Sequence, residues 1–245
     1  MEKAMKKVDG LESTQGTGKI NLLLIASGSG TDADSIMEAW EAGCIPEINP
    51  PVLISTKKGA GCLEKAVSHG LRGYVIDHKE SVSSDDFNDE LNKMLRLVFA
   101  DLIFLVGCIH KVYPIEGMDM YNIHPADPAK HGGDKMYGLA VHQHVLEEIK
   151  DQIDRGKKKI SDPFYTYPTV HEADKDYDGG AMLLRQAALI PYLIVKDFCE
   201  GLKDPQKVAK DLQAVVLPYE WLMLPAAVRM ASRRILERRN NQEPK

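Results

Sequence analysis

The sequence predicts an α/β fold in which a parallel sheet carries helices on both faces. Three observations predict it. The apolar runs of strand length, "NLLLIAS" from residue 21 and "LIFLVG" from residue 102, are continuous rather than alternating, as in strands buried on both sides. Stretches with apolar residues at helical spacing separate them. Strands that alternate with helices in this way build βαβ units and parallel sheets.

In chain order, residues 20–26 form the first strand, and "SGSGT" turns it into a helix that places Ile36, Met37 and Trp40 on one face. "PVLISTKK" reads as the second strand, followed by a helix in "GAGCLEKAVSHG" that Gly70 closes just beyond its end. "YVIDH" is the third strand. A helix follows in "SSDDFNDELNKMLRLVFA", with Ser84 where an N-cap is expected and acidic residues in the first turn, where they complement the helix dipole. It leads directly into the strand "DLIFLVG". The alternation holds to about residue 125. Beyond it, "GLAVHQHVLEEIKDQIDRGKKK" is an amphipathic helix with a basic end, "YTYPTVHEA" is β-prone, and "DYDGGAMLLRQAAL" is a Gly-Gly turn with a strand-like run. The last helical stretch starts near Pro205, and Pro218 and Pro225 are expected to break it.

Residues 1–18 read as a mobile polar tail, and residues 19–245 as one domain, because no linker forces a boundary. A formal net charge of −5 offers no basic footprint for nucleic acid. No uninterrupted apolar run approaches the roughly 20 residues of a membrane helix, and the polar start lacks the apolar segment of a signal peptide. Four widely separated cysteines without CxxC spacing argue against a zinc site or a disulfide framework, so a reducing cytoplasm is the expected compartment.

In an open parallel sheet, ligands bind beyond the carboxyl ends of the strands, and three segments fall there. "SGSGT" would let backbone N–H groups approach an anion at a helix N-terminus, although a bare tight turn reads equally well. "YNIHP" offers the Asn122 amide and the His124 imidazole, with Ile123 pointing the other way if the backbone is extended. Two donors then converge on one oxygen; the bland alternative is a turn Asn and a histidine bonded to backbone. "HEADKDYDGG" supplies His171 and Asp178, and a carboxylate near His124 would orient its ring and raise its pKa. His142 and His144 do not share a helix face as metal ligands would, and read as core or surface residues. "RRILERR" is a solvated helix end, and "FYTYP" reads as packing or as a stacking platform.

Together and in this order, these segments resemble the glycinamide ribonucleotide formyltransferases, folate-dependent enzymes of purine synthesis. The likeness runs from about Asn21 to Val228 and includes "LLLIASGSGTDADSI", "STKKGAGCLEKAVSHGL", "DLIFLVGCIHKVYP", "NIHP" and "TVHEADKDYDGG". It implies a Rossmann-like formyltransferase fold with a mixed C-terminal sheet edge. It further implies transfer of a formyl group from 10-formyltetrahydrofolate, a co-substrate, with no metal, to the amine of a small-molecule acceptor. Asn122, His124 and Asp178 correspond to the catalytic residues of the family. Ile109, Val112, Glu172, Ala173, Asp174, Lys175 and Asp176 correspond to its folate pocket. Gly28, Ser29, Gly30 and Thr31 match its phosphate turn, and Glu220 a residue that contacts the ribonucleotide. Family members are monomers or dimers, which leaves a homodimer open.

The chain departs from the family around the phosphate. Asp32 stands where Asn is usual, Leu217 where Lys or Gln is usual, and Ser84 where Arg is usual. The family's "HPSLLP" reads "HPADPAKHGG", and there are added segments around "DRGKKKISDPFYTYP" and "DFCEGLKDP". Lys57, Lys58, Lys130 and His131 are candidates to restore the lost charge. These departures keep three alternatives in view: an amino sugar nucleotide as acceptor, water as acceptor (a formyltetrahydrofolate hydrolase), and a ligand-binding homologue without catalysis.

Overall fold

In the computed structural model, residues 18–174 and 178–242 are described. The reading of residues 1–17 as a mobile tail therefore lies outside the described residues, as do Lys175 and Asp176 of the expected folate pocket.

Strands β1 (Leu22–Ala26), β2 (Val52–Ser55), β3 (Arg72–Val75), β4 (Leu102–Leu105) and β5 (Asp119–His124) are mutually parallel. The first three alternate with helices α1 (Thr31–Glu41), α2 (Gly61–Ser68) and α3 (Ser84–Leu97). Every residue of β1 and of β4 is buried, which is what their continuous apolar character requires. Next come α4 (Pro128–His131), α5 (Leu139–Asp154), β6 (Phe164–Thr166), β7 (Thr169–Glu172), β8 (Met182–Arg185), β9 (Ala188–Ile190), α6 (Tyr192–Cys199) and α7 (Pro205–Gln242). The main sheet runs β3-β2-β1-β4-β5-β7-β8, and β7 and β8 are antiparallel, giving the mixed C-terminal edge. A small β6-β9 ribbon stands apart from it.

The chain leaves β1 toward β2 on one side and returns to β4 on the other, so the sheet's switch point lies between β1 and β4. Their exits are tied together. The Ser27 hydroxyl donates to the Gly107 carbonyl at 2.8 Å and accepts from the Ile109 N–H at 3.0 Å.

Asn122 and His124 lie in the strand β5 that follows β4, so the backbone is extended there and Ile123 takes the opposite face. Two expectations are corrected. The helix α3 is capped by Ser83, whose side chain accepts from the Asp86 N–H; Ser84 is its first residue. The residues after β9, to which the sequence reading assigned no element, form the helix α6. Pro191 ends β9's run and presets the helical entry, lacking the N–H that a first turn does not use.

The second correction is that neither Pro218 nor Pro225 breaks α7, which is continuous over 38 residues. An internal proline costs about 3 kcal/mol or more. On the N-terminal side Val208, Leu212 and Val216 are buried in one core cluster, and on the C-terminal side Met223, Leu224, Val228 and Ile235 in another. At roughly 1.5–3 kcal/mol per buried side chain, anchoring both halves outweighs both prolines. By length and composition this helix also reaches what a membrane crossing needs. Its buried face instead packs on α1 and α5.

The turn after β1 closes only because residue 30 is glycine. Gly30 has φ +78°, and an added Cβ would lie 2.5 Å from both Cα and Cβ of Cys62 at the start of α2. Gly30→Ala is therefore expected to lower unfolding free energy by about 1–3 kcal/mol, measured by denaturant titration. An unchanged midpoint would show that the turn relaxes freely.

Candidate active site

A cavity of about 460 Å³ opens at the carboxyl ends of β4 and β5. Asn122 and His124 reach it from β5 because alternate residues of a strand share a face; Tyr121 and Ile123 pack into the core on the other. Antiparallel pairing of β5 with β7 sets His171 opposite Asn122.

Asp178 returns to this point after β7. Its φ of +57° is a left-handed conformation that Asp adopts more readily than most residues. Its carboxylate Oδ1 lies 3.4 Å from Asn122 Nδ2 and 3.4 Å from His171 Nε2. Oδ2 accepts from the Gly133 N–H at 3.1 Å and lies 3.7 Å from His124 Nδ1, an ion-pair contact longer than a hydrogen bond. The Gly-Gly pair of "HGG" makes this approach possible: a Cβ on Gly132 would meet Asp178 Cβ at 2.8 Å and the Pro128 carbonyl at 2.4 Å.

The His124 Nε2–H donates to the His131 carbonyl at 3.0 Å. In the neutral ring that leaves Nδ1 as the free nitrogen, facing Asp178. His171 is fixed in the same way, its Nδ1 donating to the Glu172 carbonyl at 2.9 Å.

The expected rise of the His124 pKa is corrected. Burial pushes it down, and the Asp178 charge and the His131 carbonyl oppose this without overcoming it, so the resting ring is held below the ordinary histidine value. For Asp178, burial works to raise the pKa. The hydrogen bond from His171, the His124 charge and the Gly133 N–H outweigh it, and the carboxyl sits below its usual range.

Ile109, Val112, Ala173 and Asp174 line the cavity with Asn122, His124, Asp178 and Glu220. Glu172 does not line it; its carbonyl serves His171. Gly28, Ser29, Gly30 and Thr31 are not part of the lining, which begins one residue later at Asp32. Lys57 and Lys58 are also outside it. Lys130 and His131 line a separate cavity of about 240 Å³, where His131 Nε2 lies 3.1 Å from Glu148 Oε2.

Two lining groups exceed what sequence reasoning assigned. His171 completes the surroundings of Asp178, and its pairing with Asn122 comes from the antiparallel register of β5 and β7, which no motif in the sequence signals. His142 is 2% exposed, lines the cavity and has an Nδ1 without a hydrogen-bond partner, while His144 is exposed, as their spacing on α5 requires. Burial pushes the His142 pKa down to about 4, and the nearby His124 charge adds to this. The unfolded side chain takes up a proton below pH 6.5 and the folded one only near pH 4. Stability is then lost as pH falls through this window, by about 3 kcal/mol in all. His142→Gln is expected to remove that part of the acid sensitivity, read as the wild-type minus variant difference in unfolding free energy against pH. Parallel curves would contradict it.

The Formyl transferase family matches residues 20–197. The chloroplastic phosphoribosylglycinamide formyltransferase of Arabidopsis thaliana is 30% identical over 190 residues, covering 75% of this chain and 59% of the relative. The corresponding protein of Vigna unguiculata is 27% identical over 181 residues, covering 70% and 51%. The chain thus spans between half and two thirds of the length of these curated relatives. Among solved structures, glycinamide ribonucleotide transformylase 1 from Symbiobacterium toebii superposes with a TM-score of 0.67 at 24% identity, covering 89% of each chain. Phosphoribosylglycinamide formyltransferase from Brucella melitensis gives 0.62 at 25% identity, covering 87% of this chain and 96% of that one.

Proposed function

This chain belongs to the formyl transferase family, and from that premise we propose that it transfers the formyl group of 10-formyltetrahydrofolate to the amine of glycinamide ribonucleotide, a step of purine biosynthesis. The observation that carries the reading is the meeting of Asn122, His124 and His171 around the Asp178 carboxylate at the cavity wall.

In the reaction the amine nitrogen bonds to the formyl carbon and the carbonyl electron pair moves onto oxygen. Collapse then breaks the bond to N10, which leaves with its electron pair and takes up the proton lost by the amine. The Asn122 amide offers a donor to the developing oxyanion, and such donors act most strongly where water is excluded. His124 Nδ1, the nitrogen left free by the His131 carbonyl, takes a proton and donates to the same oxygen. Asp178 stabilises the imidazolium so formed and passes the proton onward. Ile109, Val112 and Ala173 offer an apolar wall to the pterin, with backbone N–H and C=O groups of the segment after β4 for its polar edge. This donor set fits a folate.

A second reading keeps the chemistry and changes the acceptor, to an amino sugar nucleotide or to water. Asp32 and Leu217, which line the cavity at positions of the family's anion contacts, favour it; Ser84, at the start of α3, is outside the lining. Formylation assays with glycinamide ribonucleotide, an amino sugar nucleotide and no acceptor separate the two: amine-dependent release of tetrahydrofolate supports the first, and release that ignores added amine overturns it.

A further inference from the structure

Two acidic side chains that interact with each other, Asp32 and Glu220, stand in the lining of the 460 Å³ cavity. Asp32 reaches it from the first turn of α1 and Glu220 from α7, and they are 9% and 5% exposed. Among the described residues neither forms an ion pair, whereas the neighbouring Asp34 is engaged by Lys65 and His69. Asp32 Oδ1 is buried without a hydrogen bond of ordinary geometry; the Trp221 indole N–H, itself unpartnered, is near enough to act on the carboxyl but does not bond this oxygen. Gln213, Leu217 and Glu220 share one face of α7 toward the cavity, so the residue one turn before the glutamate is aliphatic and supplies no charge.

A buried carboxylate oxygen without a partner, facing a cavity, calls for a donor from the ligand. The helix N-terminus that would otherwise attract an anion already carries the chain's own Asp32. A phosphate brought beside this pair would meet two carboxyl groups, and like charges in a desolvated pocket repel strongly.

Resting on the formyl-transfer reading above, we propose that Asp32, placed beside Glu220, turns the neighbouring anion position into a subsite for neutral hydroxyls of the acceptor, and that the acceptor's phosphate is dispensable to this protein. Burial supports this assignment, because it pushes the Asp32 pKa up to about 6 and, with the Asp32 charge beside it, the Glu220 pKa well above the ordinary value. Burial thus favours the neutral form of each carboxyl, and a neutral carboxyl both donates and accepts, which matches a hydroxyl that does both.

The test compares kcat/KM for glycinamide ribonucleotide and the unphosphorylated glycinamide riboside in wild type and Asp32→Asn. Wild type is expected to use the riboside at least as well as the nucleotide, and Asp32→Asn to shift the ratio toward the nucleotide by about tenfold. A wild-type preference for the nucleotide, or a ratio unmoved by the substitution, overturns the proposal while leaving the formyl-transfer reading intact. If neither acceptor is formylated, that reading falls, and calorimetric titration of the folded protein decides the subsite. Riboside binding at least as tight as the nucleotide supports it; tighter nucleotide binding, or binding of neither, overturns it.

Discussion

Asp178→Asn is expected to lower kcat/KM for formyl transfer by about 10³- to 10⁴-fold with the fold retained, as when the aspartate behind a catalytic histidine is replaced by its amide. Asn preserves the shape, and its carbonyl oxygen still accepts from the Gly133 N–H, so the strand ends stay in place. What is lost is the charge beside His124 Nδ1 and His171 Nε2, at 3.7 and 3.4 Å. Burial already disfavours a proton on His124, and the Asp178 charge is the first force opposing it. Without that charge the ring remains neutral and has no proton to give at Nδ1. Circular dichroism should match wild type while steady-state turnover collapses. Activity within tenfold of wild type would show that the carboxylate has no part in the proton transfer.

Asn122→Ala is expected to cost about 10²–10³ in kcat with KM nearly unchanged, because the amide is invoked where negative charge develops and less in the ground state. The substitution also removes one of the contacts to Asp178 Oδ1, although His171 still faces that oxygen. A loss confined to KM would mean that Asn122 binds substrate and transition state alike. Asn122→Asp is a useful companion, since a second carboxylate beside Asp178 replaces a donor by a repelling charge and should be no more active than the alanine variant.

The parts of the fold that were legible in the sequence are those where one physical demand dominates. β1 and β4 are buried on both faces and nothing else is asked of them, so their apolar runs are uninterrupted. β5 was missed because function breaks its pattern: Asp119, Asn122 and His124 put polar groups into a strand that otherwise carries Met120, Tyr121 and Ile123 into the core. α6 was missed because a short apolar run reads equally as helix or strand. The prolines of α7 misled because local propensity was weighed without the two clusters that grip the helix on either side.

The site divides along similar lines. Asn122, His124 and Asp178 were legible through motif order, yet their state was not, because the carboxylate's pull on His124 can be inferred from sequence and the burial opposing it cannot. The Gly-rich turn after β1 suggested an anion cradle, but only coordinates reveal that the cavity lining begins at Asp32 and that Glu220 joins it from α7. Lys130 and His131, offered as replacement charge, belong to the neighbouring cavity, and the contribution of His131 to His124 comes through its backbone carbonyl, which no side-chain motif can signal.

The most direct measurement of the central claim is a single turnover of the wild-type protein with 10-formyltetrahydrofolate and the glycinamide acceptor, quantifying formylated amine and released tetrahydrofolate together. The account predicts one formyl group on the amine for each tetrahydrofolate released, and neither product from His124→Ala on the same timescale. Tetrahydrofolate released without formylated amine, or undiminished transfer by His124→Ala, would contradict it.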